Sequence, residues 1–188
     1  MKKIILVSAS PRKNGNSEVI VDTLASKLSN AEITVFKIRE KKINPCIACA
    51  ACQGKDSPKC VQKDDISSLL SEMDTCDAIV LAAPIYFHQI NAQAKMLLDR
   101  LFCFRNIENP SMSNTSKWGK KAVIVCPFWG GPEDVYKSYA EQTAKGFYFM
   151  GAKDTKGLVF GKLDEPGSIL NSLGFMEKAS DLAQWLTE

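Results

Sequence analysis

Along the chain, short unbroken apolar runs alternate with segments whose apolar residues recur every three or four positions. Ile4-Ile5-Leu6-Val7 has no polar alternation, which predicts a strand buried on both faces, as in a parallel sheet. Ile20, Leu24 and Leu28, with Val21 and Ala25 beside them, form the apolar stripe of an amphipathic helix. Residues 32–38 alternate polar and apolar, which suits a strand nearer the sheet edge. Asp64-Asp65-Ile66 opens a second helix with Leu69, Leu70 and Met73 on its buried side. Residues 77–83 read as another buried strand, ended by Pro84. A helix follows over about 91–105, with Ala94, Leu97, Leu98, Leu101 and Phe102 facing inward. A fourth strand is expected at 122–126, a helix over 132–150, a fifth strand at 158–160 and a final helix over about 168–187. This alternation predicts an α/β fold: one domain over 1–188, with a five-stranded parallel sheet covered by helices on both faces. In the strand order 2-1-3-4-5, the ligand crevice lies at the C-terminal ends of the first and third strands.

The first strand-to-helix turn, Ser8 to Ser17, carries hydroxyls, amides, Arg12 and Lys13 but only one glycine, Gly15. A helix N-terminus supplies free N–H groups and a positive dipole end, and Ser10, Asn16, Ser17 and Arg12 add donors suited to a phosphate. Asn16 or Ser17 would also cap the helix. Neither Gly-x-Gly-x-x-Gly nor Gly-Lys-Ser/Thr occurs here, so the pattern points to a single terminal phosphate, as on a mononucleotide. The loop after strand three, Pro84-Ile85-Tyr86-Phe87, and the later Phe128-Trp129-Gly130-Gly131 each pair a stiff backbone or glycines with aromatics. Together on the expected ligand edge, they suit a planar ring system.

Composition narrows the classes. A net charge of +3 without a basic run gives no footprint for nucleic acid or an anionic membrane. No apolar stretch reaches the roughly 18 residues of a membrane span. Met1-Lys2-Lys3 leads directly into a strand, so a cytoplasmic protein is expected. The serines near the first turn lack an evident base, which argues against a serine hydrolase. His88 is the sole histidine and reads as a surface residue beside the ring-binding loop. Seven cysteines fall into two groups. Cys76, Cys103 and Cys126 sit in helix or strand patterns and read as small core residues. Cys46-x2-Cys49-x2-Cys52-x7-Cys60 lies in a long insertion at about 40–64, on the ligand edge beside strand one. Three thiolates at two-residue gaps suit one face of a cuboidal cluster and fit zinc less well, while Cys-x-x-Cys spacing also suits reactive thiols. Cluster, thiols alone and zinc all stay open at this point.

Residues 10–17, residues 84–87 and the Lys95…Asp99-Arg100 segment resemble the NAD(P)H-dependent FMN reductase branch of the flavodoxin-like superfamily, over nearly the whole chain. The resemblance implies a flavodoxin-like three-layer sandwich. It also implies FMN, with its phosphate on Ser10, Arg12, Asn14, Gly15, Asn16 and Ser17. The ring would be held by Pro84, Ile85, Tyr86, Phe87, Phe128, Trp129, Gly130 and Gly131. NAD(P)H is the implied reductant, a quinone, flavin, nitro or azo compound the small-molecule acceptor, and a homodimer or homotetramer the assembly. Catalysis would rest on the flavin, with no acid–base pair. Cys46, Cys49, Cys52 and Cys60 resemble the compact motif of the iron–sulfur flavoproteins, which implies a [4Fe–4S] cluster and electron transfer with a ferredoxin-like donor as the alternative. A non-catalytic nucleotide-binding module is the reading from outside the enzyme classes.

Overall fold

The computed structural model describes residues 1–53, 60–108 and 113–188. Residues 54–59, within the expected cysteine insertion, lie outside the described residues. In chain order the elements are β1 (Lys2–Ser8), α1 (Asn16–Lys27), β2 (Ala31–Lys37), α2 (Asp65–Thr75), β3 (Ala78–Ala82), β4 (Ile85–Tyr86), β5 (Gln89–Ile90), α3 (Ala92–Arg100), β6 (Lys120–Pro127), α4 (Asp134–Lys145), β7 (Ala152–Phe160) and α5 (Phe175–Thr187). The main sheet runs β2-β1-β3-β6-β7, all pairs parallel. Setting aside the two-stranded hairpin β4–β5, this is the expected 2-1-3-4-5 order.

The side chains of β1 divide between two cores. Ile5 and Val7 join Ile79, Leu81 and Ile124 under α2, α3 and α4. Ile4 and Leu6 join Val80, Val123 and Val125 under α1 and α5. Because successive strand residues point to opposite faces, a continuous apolar run is required wherever both faces are covered. The three layers follow from that requirement.

Several expected boundaries are corrected. The helix over 91–105 stops at Arg100 and tightens into a 3-10 turn, Leu101–Phe104, which turns Phe102 outward to 37% exposure. The helix over 132–150 is α4 followed by the 3-10 turn Gly146–Met150. The last helix is broken at Gly174, whose φ of 74° is left-handed, so a short 3-10 turn at Ser168–Asn171 precedes α5. The fifth strand begins at Ala152 rather than 158, because an edge strand half open to solvent tolerates Lys153, Asp154 and Lys156. The loop after β3 folds into the hairpin β4–β5, with Phe87 and His88 at its tip both at positive φ, 49° and 65°.

At the N-terminal edge of the sheet, Lys120 is 1% exposed and donates to Thr115 Oγ1 at 2.5 Å and to the Met150 carbonyl at 2.8 Å. Burial lowers its pKa to about 8, against partial support from Cys76 and Asp74. The unfolded chain therefore holds this proton to higher pH than the native state does, and Lys120 adds stability as pH rises from about 8 towards 10.5. Cys76, Cys103 and Cys126 are buried, as expected, and burial pushes each thiol up to about 12, so they oppose the trend above pH 9. The expected result is that wild type minus Lys120→Met stability grows by on the order of 2–3 kcal/mol between pH 7.5 and 10. Urea unfolding at the two pH values checks it, and a constant difference contradicts it.

Candidate functional site

The turn between β1 and α1 is built around Ser10. Its Oγ donates to the Arg12 carbonyl at 2.8 Å and accepts from the Arg12 amide at 3.1 Å, closing the loop on itself. Gly15, not Asn16 or Ser17, is the N-cap of α1, and it makes no side-chain cap. A Cβ on Gly15 would lie 2.3 Å from Ser10 Oγ, so the turn closes this tightly only with glycine. Ser17 is 1% exposed, and its Oγ is buried without a hydrogen-bond partner. An uncapped helix start and an orphaned buried hydroxyl together fit a phosphate oxygen.

Asn16 behaves differently from expectation. Its amide nitrogen donates to the Glu165 carbonyl and its oxygen accepts from the Ile169 amide, both at 3.0 Å. Its side chain pins a distant loop to the start of α1 and is not free for a phosphate. Glu18, in the first turn of α1, would repel an anion if left alone. It instead holds Arg39 at 2.9 Å and Lys37 at 3.0 Å, and Arg39's hydrogen bond above all lowers its pKa to about 2.

Ser10, Arg12, Asn16, Ser17, Pro84, Ile85, Tyr86, Phe128 and Trp129 line one cleft of about 230 Å3 at the C-terminal edge of the sheet. Leu163 and Asp164, which sequence reasoning missed, close it from the loop after β7. Trp129 is 78% exposed and Tyr86 43%, offering flat apolar surface at the cleft, whereas Phe128 is packed edge-on against Tyr136 beneath it. Asn14 and Gly15 shape the turn without lining the cleft, Asn14 through a left-handed φ of 57°. Phe87 stands fully exposed on the hairpin tip, outside the cleft lining, and His88 beside it is held by Tyr136 Oη at 2.7 Å. Gly130 and Gly131 also fall outside the lining; Gly131 faces a neighbouring cavity. The aromatic loops still meet at one cleft, with the glycines setting the backbone behind it.

Asn91 also escaped the sequence reading. It is 2% exposed, donates from Nδ2 to the Ala9 carbonyl at 2.6 Å, and its own amide donates to the Pro84 carbonyl at 3.0 Å. It thereby fixes the β1–α1 turn against the loop after β3. Its position just ahead of α3 was the available signal.

Cys46, Cys49, Cys52 and Cys60 line a second, smaller concavity together with Arg100 and Cys103. Ala48 and Ala50, which alternate with the cysteines, sit at φ 52° and 53°, turns that non-glycine residues adopt at a cost. Arg100 is 1% exposed and binds Asp64 through two bonds, at 2.9 and 3.1 Å, and the Asn44 carbonyl at 3.1 Å. Burial disfavours the charge of Asp64, but hydrogen bonds from Arg100 and the Asn44 amide outweigh it and hold its carboxyl below the usual range. Asp64 also caps α2. One buried ion pair therefore fastens both ends of the cysteine loop to α3. Burial raises the Cys52 thiol. Among the described residues no group of three or more His, Cys, Asp or Glu is already drawn together around a single ion position.

A parallel sheet in flavodoxin-like order, with an uncapped helix start and aromatic loops at the switch point, is the architecture of a doubly wound α/β protein with its ligand crevice at that edge. Residues 2–160 match the sequence profile of the family described as NADPH-dependent FMN reductase, and the chain belongs to that family. It is 30% identical over 188 residues to an iron-sulfur flavoprotein of Archaeoglobus fulgidus, covering 99% of this chain and 79% of that one. It is 38% identical over 139 residues to an iron-sulfur flavoprotein of Methanosarcina thermophila, covering 72% and 70%. Among solved structures, the NAD(P)H:quinone oxidoreductase from Methanothermobacter marburgensis superposes with a TM-score of 0.74 at 16% identity, covering 97% of this chain and 98% of that one, a likeness of fold. The chain is an NAD(P)H-dependent oxidoreductase of the FMN reductase type with FMN as its cofactor. No described helix is long and apolar enough to cross a membrane.

Proposed function

We propose that the cleft binds FMN by its phosphate at residues 10–17 and that the bound flavin relays electrons from NAD(P)H to a small planar acceptor, a quinone, flavin, nitro or azo compound. The carrying observation is the buried, unpartnered Ser17 Oγ at the uncapped start of α1. Ser17 and the first free amides of α1 would hold the phosphate, Arg12 would cover it, and Ser10 would keep the turn closed. Tyr86 and Trp129 would flank the ring, while Pro84 and Ile85 offer backbone at its edge. Bound FMN supplies hydride acceptance at the ring and two-electron delivery to the acceptor. The chain's own part is to bind, orient and desolvate, and no acid–base pair is asked of it. Replacing Arg12 by alanine is expected to weaken FMN binding by about 1.5–3 kcal/mol, the scale of a hydrogen bond to a charged group. Fluorescence titration reads this directly, and unchanged affinity removes Arg12 from the site.

A second reading rests on a specific observation: Cys46, Cys49, Cys52 and Cys60 line one concavity fastened by the Asp64–Arg100 pair. A cuboidal cluster spreads its ligands wider than a single ion, and four thiols around one hollow fit it. These four would hold a [4Fe–4S] cluster, which supplies one-electron transfer, with a ferredoxin-like protein as donor. Two relatives named iron-sulfur flavoproteins support this reading. About four irons and matching sulfide per chain in anaerobically purified protein are expected; flavin without iron leaves the plain reductase. A homodimer or homotetramer in the cytoplasm is part of the same proposal, read by sedimentation and fractionation.

A further inference from the structure

Beside the flavin cleft lies a second, larger cavity of about 530 Å3, to which none of the readings above gives a ligand. Asp164 lines both hollows, and along the β6–α4 loop one residue, Gly130, separates Trp129 in the first from Gly131 in the second. The cavity is walled by the loops after β6 and β7, and these are fastened back to back. The Phe128 amide donates to the Phe160 carbonyl at 2.9 Å and the Leu163 amide to the Phe128 carbonyl at 3.1 Å. A Cβ on Gly161 would meet the Gly131 carbonyl oxygen at 2.7 Å, so close an approach admits only glycine. The outer wall is the segment pinned to α1 by the Asn16 side chain at Glu165 and Ile169. The cavity is thus preformed, and it is anchored to the same turn that would hold the flavin phosphate.

Its lining is wrong for a quinone or azo ring. Ser168, Asn171 and Ser172 supply hydroxyls and an amide, Lys162 a cation, and Leu173 the one large apolar side chain. The side chains of Asn171, Ser172 and Lys162 make no hydrogen bond or ion pair among the described residues. Lys162 is held at a left-handed φ of 59°, a conformation disfavoured for its type. Glu133, on the same wall, is engaged by Lys178 at 3.2 Å, whereas the Asp164 carboxylate has no hydrogen bond or ion pair among the described residues. Hydroxyls and an amide suit sugar, and a cation suits phosphate.

We propose that this cavity receives the sugar–phosphate tail of the nicotinamide nucleotide while its nicotinamide ring lies over the flavin cleft. The proposal rests on the reading of that cleft as the FMN site. Lys162 faces the pyrophosphate, and Ser168, Asn171 and Ser172 take the ribose and adenine edges.

The test is calorimetric titration of FMN-loaded protein with ADP-ribose and, in a second arm, with its 2′-phosphorylated form. Binding of one or both without loss of FMN is expected, and the arm that binds more tightly says whether NADH or NADPH is the reductant. Lys162→Asn keeps a residue that tolerates the left-handed backbone but removes the charge. It should raise the dissociation constant about tenfold, the scale of one charge-assisted hydrogen bond, with FMN affinity and melting temperature held. Asn171→Phe should fill the cavity and abolish binding. FMN-loaded protein that takes up neither ligand, that releases FMN on adding them, or whose variants bind as wild type does overturns the proposal and leaves the FMN site standing. A protein that takes up no FMN at all refutes both.

Discussion

Replacing Arg100 by methionine is expected to destabilise the protein by about 3–5 kcal/mol, because it leaves Asp64 charged, buried and without its cation. Both side chains are sealed from solvent, at 0% and 2% exposure, so water does not replace the lost partner. The change also removes the bond to the Asn44 carbonyl at the loop entrance. A packing residue elsewhere would affect only stability. Arg100 holds the cysteine loop at both ends, so Cys46, Cys49, Cys52 and Cys60 should react faster with a thiol reagent in the variant under native conditions. Urea denaturation together with thiol-labelling kinetics reads both. A variant with near-wild-type stability, or one whose loop thiols keep their rates, contradicts the assignment of Arg100 as the clamp. Asp64→Asn tests the pair from the other side. It keeps the cap on α2 but loses the charge, and stability should fall in the same direction.

Replacing Gly157 by alanine is the second large effect. A Cβ there would lie 2.3 Å from the Glu141 amide nitrogen and 2.4 Å from the Ala140 carbonyl carbon. These are backbone atoms of α4 and have no rotamer to move to, so the helix must lift off β7 as a body. The expected cost is about 3 kcal/mol, the upper end of ordinary overpacking. For a domain of this size that lowers the melting temperature by about 6–12 °C. Calorimetry checks it, and a shift of a degree or less would mean that α4 is not seated on this strand as described.

Much of the fold was legible because burial on both faces leaves no polar residue in a strand. Ile4–Val7 and Ala78–Ala82 announce themselves that way. The first half of β7 did not, since an edge strand half open to solvent accepts Lys153 and Lys156 and loses its apolar signature. Phe102 was misplaced because the 3.6-residue period that would bury it ends at Arg100, where the chain tightens to three residues per turn. At the candidate site, residue types singled out the β1–α1 turn but not how its side chains divide between structural partners and the open cleft. Asn16 and Ser17 are neighbours with similar donors. Only the tertiary partners at Glu165 and Ile169 show that one is committed and the other open. Asn91 and the Asp64–Arg100 pair were hidden for the same reason, as each acts on residues far away in sequence.

The most direct measurement is a flavin titration of the protein with FMN and with riboflavin, which differ only in the phosphate. The account predicts one FMN per chain and riboflavin binding weaker by about 10–100-fold, the contribution of a phosphate held by charge-assisted hydrogen bonds. Equal affinity for the two, or binding of neither, would contradict a phosphate site at residues 10–17.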